Sequence, residues 1–219
     1  MALQGTHIRF AVDVQDKYQV YNLNEYILGT VYPDSRYLSG IDRDKTHNDN
    51  FLKPLFVKND FYAGWQVHLW VDKIQGDIMK ELFPEKLKYF VENGRFIDNG
   101  EWEFFSALKV VQDLDDIKKF DLQKYIDIIK ESKVVNPNRE NIEAVARSNQ
   151  VIVDLYNGKK KITVFNVGKM WLDLGVEKEK VLKIEKFVRQ ILENGTWLGK
   201  VLEIYPEMKR RFDLEVEIR

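Results

Sequence analysis

The chain has only three histidines in 219 residues, and all of them fall within the first 68 positions. His68 stands in the apolar run GWQVHLWVD, residues 64–72, with an aspartate four positions later. On a helix, positions i and i+4 share a face, so His68 and Asp72 project together and can hold one cation. Gly64 lies one turn earlier on that face and is expected to leave room for an ion or a substrate. Alone, a His-x-x-x-Asp pair suits a hydrogen-bonded core histidine as well as a ligand. His7 in THIRFA, Asp34 in LGTVYPD and His47 in RDKTH widen the set to three imidazoles and two carboxylates, the donor types that suit zinc and other divalent transition ions.

Such an ion lowers the pKa of a bound water toward about 7 and polarises a phosphoryl oxygen, which is what hydrolysis of a phosphate ester near neutral pH requires. Arg36 and Arg43 lie close in sequence to the candidate ligands and could clamp a phosphate through paired donors, and Arg9 is two residues from His7. The alternative is that these arginines pair with Asp13, Asp42 or Asp44 on the surface. Trp65 and Trp70 could line a pocket, but aromatic residues at helical spacing more commonly belong to a core. The chain has no cysteine, which removes disulfides, thiolate zinc sites and cysteine nucleophiles together.

The elements that must position these residues read as helices. From Asp60, FYAGWQVHLWVDKIQGDIMKELF continues for about 20 residues without proline, and Pro84 marks its end or a break before KLKYFVENG, with Gly94 as a C-cap. Residues 101–119 place Trp102, Phe105, Leu108 and Val111 at helical spacing, and Asp121 is a candidate cap for LQKYIDIIKES. Asn136-Pro137-Asn138 forms a turn before NIEAVARSNQVIVDLYNG, which stops at Gly158. KKKITVFNV is either a short strand or a loop entering a helix. The last quarter reads as two helices, 178–194 and 197–211, broken at Asn194-Gly195. Residues 30–60 read as long polar loops, a setting in which functional residues concentrate. The expectation is an all-α, single-domain multi-helix bundle over residues 1–219, with ligands within 7–72 and the C-terminal helices as scaffold.

Lys and Arg total 34 against 35 Asp and Glu, so net charge of -1 leaves no nucleic-acid footprint. The start lacks a basic n-region, and no run approaches the roughly 20 apolar residues of a membrane span, so a cytoplasmic location is expected.

The order of a histidine on the first helix, a loop aspartate in LGTVYPD, a loop histidine in RDKTH and GWQVHLWVD on a helix resembles the zinc-dependent phospholipase C family, related in fold to the single-strand-specific zinc nucleases. The resemblance covers about residues 5–75, roughly one third of the chain. It implies that Asp34, His47, His68 and Asp72 hold one metal ion, and that His7 with a bridging Asp72 helps hold a second. Members with three zinc ions add two histidines and a glutamate after this helix and use a free amino terminus as a ligand. Here no histidine follows His68, six residues precede His7, and no signal peptide is visible. One or two zinc ions are therefore expected, with Asp42, Asp44, Glu101 or Glu103 as further candidate ligands.

Three classes of function follow: a phospholipase C-like phosphoesterase acting on a small phosphate ester or lipid headgroup, with Asp34, Arg36 and Arg43 in the catalytic site; another metallohydrolase, such as an HD-type phosphohydrolase; or a helical protein that metal merely stabilises. The HD type needs adjacent His and Asp, whereas this chain has His47-Asn48-Asp49.

Overall fold

The structure is a computed structural model and describes residues 3–53, 59–86, 91–92, 95–96, 101–158 and 162–217. From the amino terminus it forms α1 (Gln4–Val14), α2 (Leu23–Val31), the short α3 (Arg36–Ser39) and α4 (Arg43–Thr46), then the long α5 (Asp60–Leu82). After an antiparallel ladder, β1 (Val91–Glu92) with β2 (Arg95–Phe96), come α6 (Glu101–Asp116), α7 (Gln123–Glu131), α8 (Ile142–Tyr156), α9 (Val164–Asp173), α10 (Lys178–Glu193) and α11 (Gly195–Glu217). The protein is all-α. No helix among the described residues is long and apolar enough to cross a membrane.

Polar side chains start several of these helices by satisfying amides that have no partner within the helix. Asn22 accepts from the Glu25 amide, Asn59 from Tyr62, and Asn141 from Glu143 and Ala144. Thr163 and Asn166 form a reciprocal capping box, so the described part of KKKITVFNV, residues 162–167, enters α9. Asp121 accepts from the Gln123 amide at 3.3 Å, close to its expected capping role.

Three other expectations change. Residues 30–53 are not open loop: Tyr32–Ser35 and Asp49–Leu52 are 3-10 turns that flank α3 and α4. Each turn is too short to show helical periodicity in sequence. KLKYFVENG was expected to continue helically, yet Val91–Glu92 pairs with Arg95–Phe96, and Gly94 lies outside the described residues. On α6 the buried face passes through Phe104, Ala107, Leu108 and Val111, leaving Trp102 39 % exposed.

One cluster of buried side chains runs through α1, α2, α5, α6 and the helices that follow. α5 packs against α1, α2 and α11, while α6 packs against α1, α10 and α11. The closest approach is between α2 and α5, and two glycines create it. A Cβ at Gly64 would fall on the Tyr26 carbonyl oxygen, and one at Gly29 on that of Phe61. Gly64 therefore makes room for the backbone of α2 rather than for an ion or substrate. The function of that contact is registration: it fixes the second half of α2 against the first turns of α5.

Candidate metal centre

Asp34 sits in the turn that follows α2, where Pro33 restricts the backbone, so the α2–α5 contact also sets its position. His47 ends α4, and α5 holds that segment from one side: the Trp65 indole donates to the Thr46 carbonyl at 2.7 Å, and the Gln66 amide to the Phe51 and Lys53 carbonyls. Trp65 and Trp70, both 2 % exposed, are core residues. His7 lies on α1, whose first turn is satisfied from a distance. Asp113 of α6 accepts from the Thr6 amide at 2.6 Å and from the Tyr156 hydroxyl at 2.9 Å, while Asp116 accepts from the Thr6 hydroxyl and from Arg9. α6 and α8 thereby dock the start of α1 against the site.

All five candidate ligands converge. Donor atoms of Asp34, His47 and His68 lie within 4.8 Å of one another, and so do those of His7, His68 and Asp72. His47 Nε2 is 3.3 Å from His68 Nε2, 3.5 Å from Asp72 Oδ2 and 3.8 Å from Asp34 Oδ1, and His68 Nε2 is 3.7 Å from Asp72 Oδ2. Ligands about 2.0–2.2 Å from a tetrahedral ion lie about 3.3–3.6 Å apart, so these separations are close to the edges of such a site.

The hydrogen bonds behind the rings decide where the protons sit. His68 Nδ1 is 2.8 Å from the Thr30 carbonyl and His7 Nδ1 is 3.2 Å from the Leu3 carbonyl; a carbonyl only accepts, so each Nδ1 donates. The Thr46 hydroxyl donates to the Arg43 carbonyl and is free to accept from His47 Nδ1 at 2.8 Å. With Nδ1 engaged behind it, each ring turns its Nε2 toward the cluster, the arrangement that orients metal-binding histidines. Burial pushes the His68 imidazole down to about 3, aided by the adjacent His7, and burial also lowers His7 despite the nearby carboxylates. Burial alone would raise both carboxyls. The facing imidazoles outweigh it at Asp34, and Lys109 with His47 and His68 hold Asp72 well below the ordinary carboxylate range.

His47 Nε2 and His68 Nε2, 3.3 Å apart, need either a shared proton or a metal cation between them. Two buried atoms at the same place, His7 Nε2 and Asp34 Oδ1, have no hydrogen-bond partner. Buried polar groups are almost always satisfied, so this concentration of orphaned acceptors fits a divalent ion.

Two contributors escaped sequence reasoning. Gln4 donates to Asp34 Oδ2 at 2.8 Å, and Lys109 of α6 lies 3.3 Å from Asp72 Oδ1. Gln4 stands one turn before His7, a spacing that could have suggested it; Lys109 offered no local signal.

The arginines divide. Arg36 stacks on Tyr37 and donates to its hydroxyl at 2.7 Å, and its buried Nε has no partner. Burial first, then Asp34 and Asp72, raise the Tyr37 hydroxyl, which places this pair within the field of the site. Arg43 is exposed, and its charge reaches the same tyrosine. Arg9 is turned away, bound to Asp116 and stacked on Tyr205.

Three of the extra acids do not join the centre. Asp42 caps α4, Asp44 is exposed, and Glu103 pairs with Lys183. The side chain of Glu101 lies outside the described residues. Surface clefts of 830, 510 and 380 Å³ are each lined by residues other than the five.

Fold and site together define an all-α protein with its three histidines gathered around two aspartates. Comparison with protein-family models, curated proteins and solved structures finds no match to this chain.

Proposed function

We propose that the protein is a metal-dependent hydrolase of phosphate esters, with Asp34, His47, His68 and Asp72 holding the ion and zinc the best match to the donors. The observation that carries this reading is the convergence of three Nε2 atoms on two carboxylates, with His47 and His68 3.3 Å apart. The resemblance to the zinc-dependent phospholipase C family supports it, since the same residues carry that likeness.

When bound, a divalent ion supplies Lewis acidity toward a phosphoryl oxygen and makes water a nucleophile near neutral pH. The chain supplies the rest. Backbone carbonyls at Leu3 and Thr30 keep His7 and His68 in the tautomer that presents Nε2. Asp34 and Asp72 stay ionised and offset the charge of the ion. Arg36, with an unused buried donor beside Tyr37, is the proposed donor to a phosphoryl oxygen, and Arg43 is proposed to add positive charge.

A second reading, a purely structural metal site, is favoured by depth: the His7 and His68 side chains are 0 % exposed. One experiment tests both. Protein purified without chelator is assayed for metal by elemental analysis and for turnover of p-nitrophenyl phosphate and bis-p-nitrophenyl phosphate. Bound zinc with turnover, both lost in His68→Ala, is the expected result. Zinc without turnover leaves the structural reading, and no metal in wild type removes both. The cytoplasmic location is part of the same proposal and is checked by fractionating the source cells.

A further inference from the structure

We propose that the centre takes a single divalent ion, and that the Lys109 ammonium stands where a second ion would, as a built-in cation that receives the anionic oxygens of a phosphate-bearing substrate. This rests on the metal-centre reading above and specifies how many ions it holds and what faces the substrate.

The two oxygens of Asp72 have different surroundings. Oδ2 faces His47 and His68, at 3.5 and 3.7 Å, while Oδ1 faces Lys109 at 3.3 Å and His7 at 3.8 Å. A second ion would have to lie about 2.0–2.2 Å from both Asp72 Oδ1 and His7 Nε2. That space is overlooked by an ammonium already paired with Oδ1. A third donor would have to come from His68, which belongs to both candidate groups. His68 has only one lone pair to give, because its Nδ1 donates to Thr30, and the first ion needs it. The second position thus offers two donors and a fixed positive charge, whereas zinc sites use at least three protein ligands.

Exposure shows which side a substrate meets. The side chains of His7 and His68 are 0 % exposed, His47 4 % and Asp34 6 %, but Lys109 is 13 % and Asp72 18 % exposed. Solvent therefore reaches the centre past the Lys109–Asp72 pair. An ammonium has three N–H donors; Asp72 Oδ1 takes one, and the others are available to an incoming oxyanion.

The test compares wild type, Lys109→Gln and Lys109→Arg, each saturated with zinc and freed of excess. Zinc per chain is read by elemental analysis and inorganic phosphate binding by titration calorimetry. Wild type should hold one zinc ion. Lys109→Gln should bind phosphate about tenfold more weakly or worse, the loss expected for one hydrogen bond from a charged donor, and, with the glutamine amide oxygen as a third donor in place of the cation, should accept a second zinc ion at raised zinc. Lys109→Arg should keep most of the phosphate affinity and still exclude the second ion. Two zinc ions in wild type would overturn the inference while leaving the metal centre standing. Unchanged phosphate affinity in Lys109→Gln would overturn it as well. A wild type with no zinc at all would instead be a failure of the metal-centre reading, visible before any phosphate is added.

Discussion

At the scale of single residues, the centre depends as much on what stands behind the ligands as on the ligands. Gln4 is 4 % exposed, and its amide is the hydrogen-bond donor at Asp34 Oδ2, which leaves Oδ1 directed at the imidazoles. Replacing it by leucine retains bulk but strands a buried carboxylate oxygen and frees Asp34 to turn. Outer partners of this kind typically change metal affinity about 10–100-fold when removed. Gln4→Leu should therefore weaken zinc binding by roughly that factor, measured by competition with a chromogenic chelator, while the zinc content at saturation stays that of wild type. Equal affinity in the two proteins would show that Asp34 needs no such support or is not a ligand.

At the scale of elements, the α2–α5 crossing turns a local absence of side chain into a functional geometry. It brings the Thr30 carbonyl to His68 and places Asp34 beside His47. Gly64→Ala would set a Cβ against the backbone of α2, whereas Gly76, twelve residues on in the same helix, has open space at that position. Overpacking costs about 1–3 kcal/mol and more against an unyielding backbone, while Gly→Ala at an unobstructed helix interior gains about 0.5–1 kcal/mol. The same substitution should then destabilise at 64 and stabilise at 76, as read by urea denaturation of the metal-free protein. Gly64→Ala should also lose zinc affinity where Gly76→Ala does not. A Gly64→Ala protein as stable as wild type would mean that the helices can separate without consequence.

At the scale of the whole molecule, one buried network joins α1, α6 and α8. Asp113 is 0 % exposed, and burial pushes its carboxyl up to about 7; burial also raises Asp116, to about 6, against the pull of Arg9. Carboxyls with raised pKa keep protons in the folded state that the unfolded chain releases. Between about pH 4 and pH 7 these two carboxyls therefore bind more protons in the folded state, and the stability they contribute falls as pH rises through that window, while the lowered His7 and His68 act in the opposite direction. For Asp113 the loss is on the order of a few kcal/mol. Denaturation of metal-free wild type and Asp113→Asn at pH 5 and pH 8 should show that stability at pH 5 relative to pH 8 is greater in wild type than in the variant. The same pH dependence in both proteins would show that this carboxyl is ionised throughout. What the sequence by itself determined was local. Periodicity and caps located the long helices, and the types and order of His7, Asp34, His47, His68 and Asp72 marked the donors. The turns at Tyr32–Ser35 and Asp49–Leu52 are shorter than a helical period can reveal, and β1 with β2 is held by pairing between the two strands rather than by pattern. Gly64 was misjudged because a sequence records a missing side chain but not what fills the space; the backbone of α2 fills it. Lys109 and Asp113 act on α5 and α1 across 37 and 107 residues of chain, distances at which no spacing rule operates. Only the packing of α6 against the first helices decides that an ammonium meets Asp72 and that a carboxyl holds α1 in place, because those contacts arise from burying a shared apolar core rather than from any neighbour in sequence.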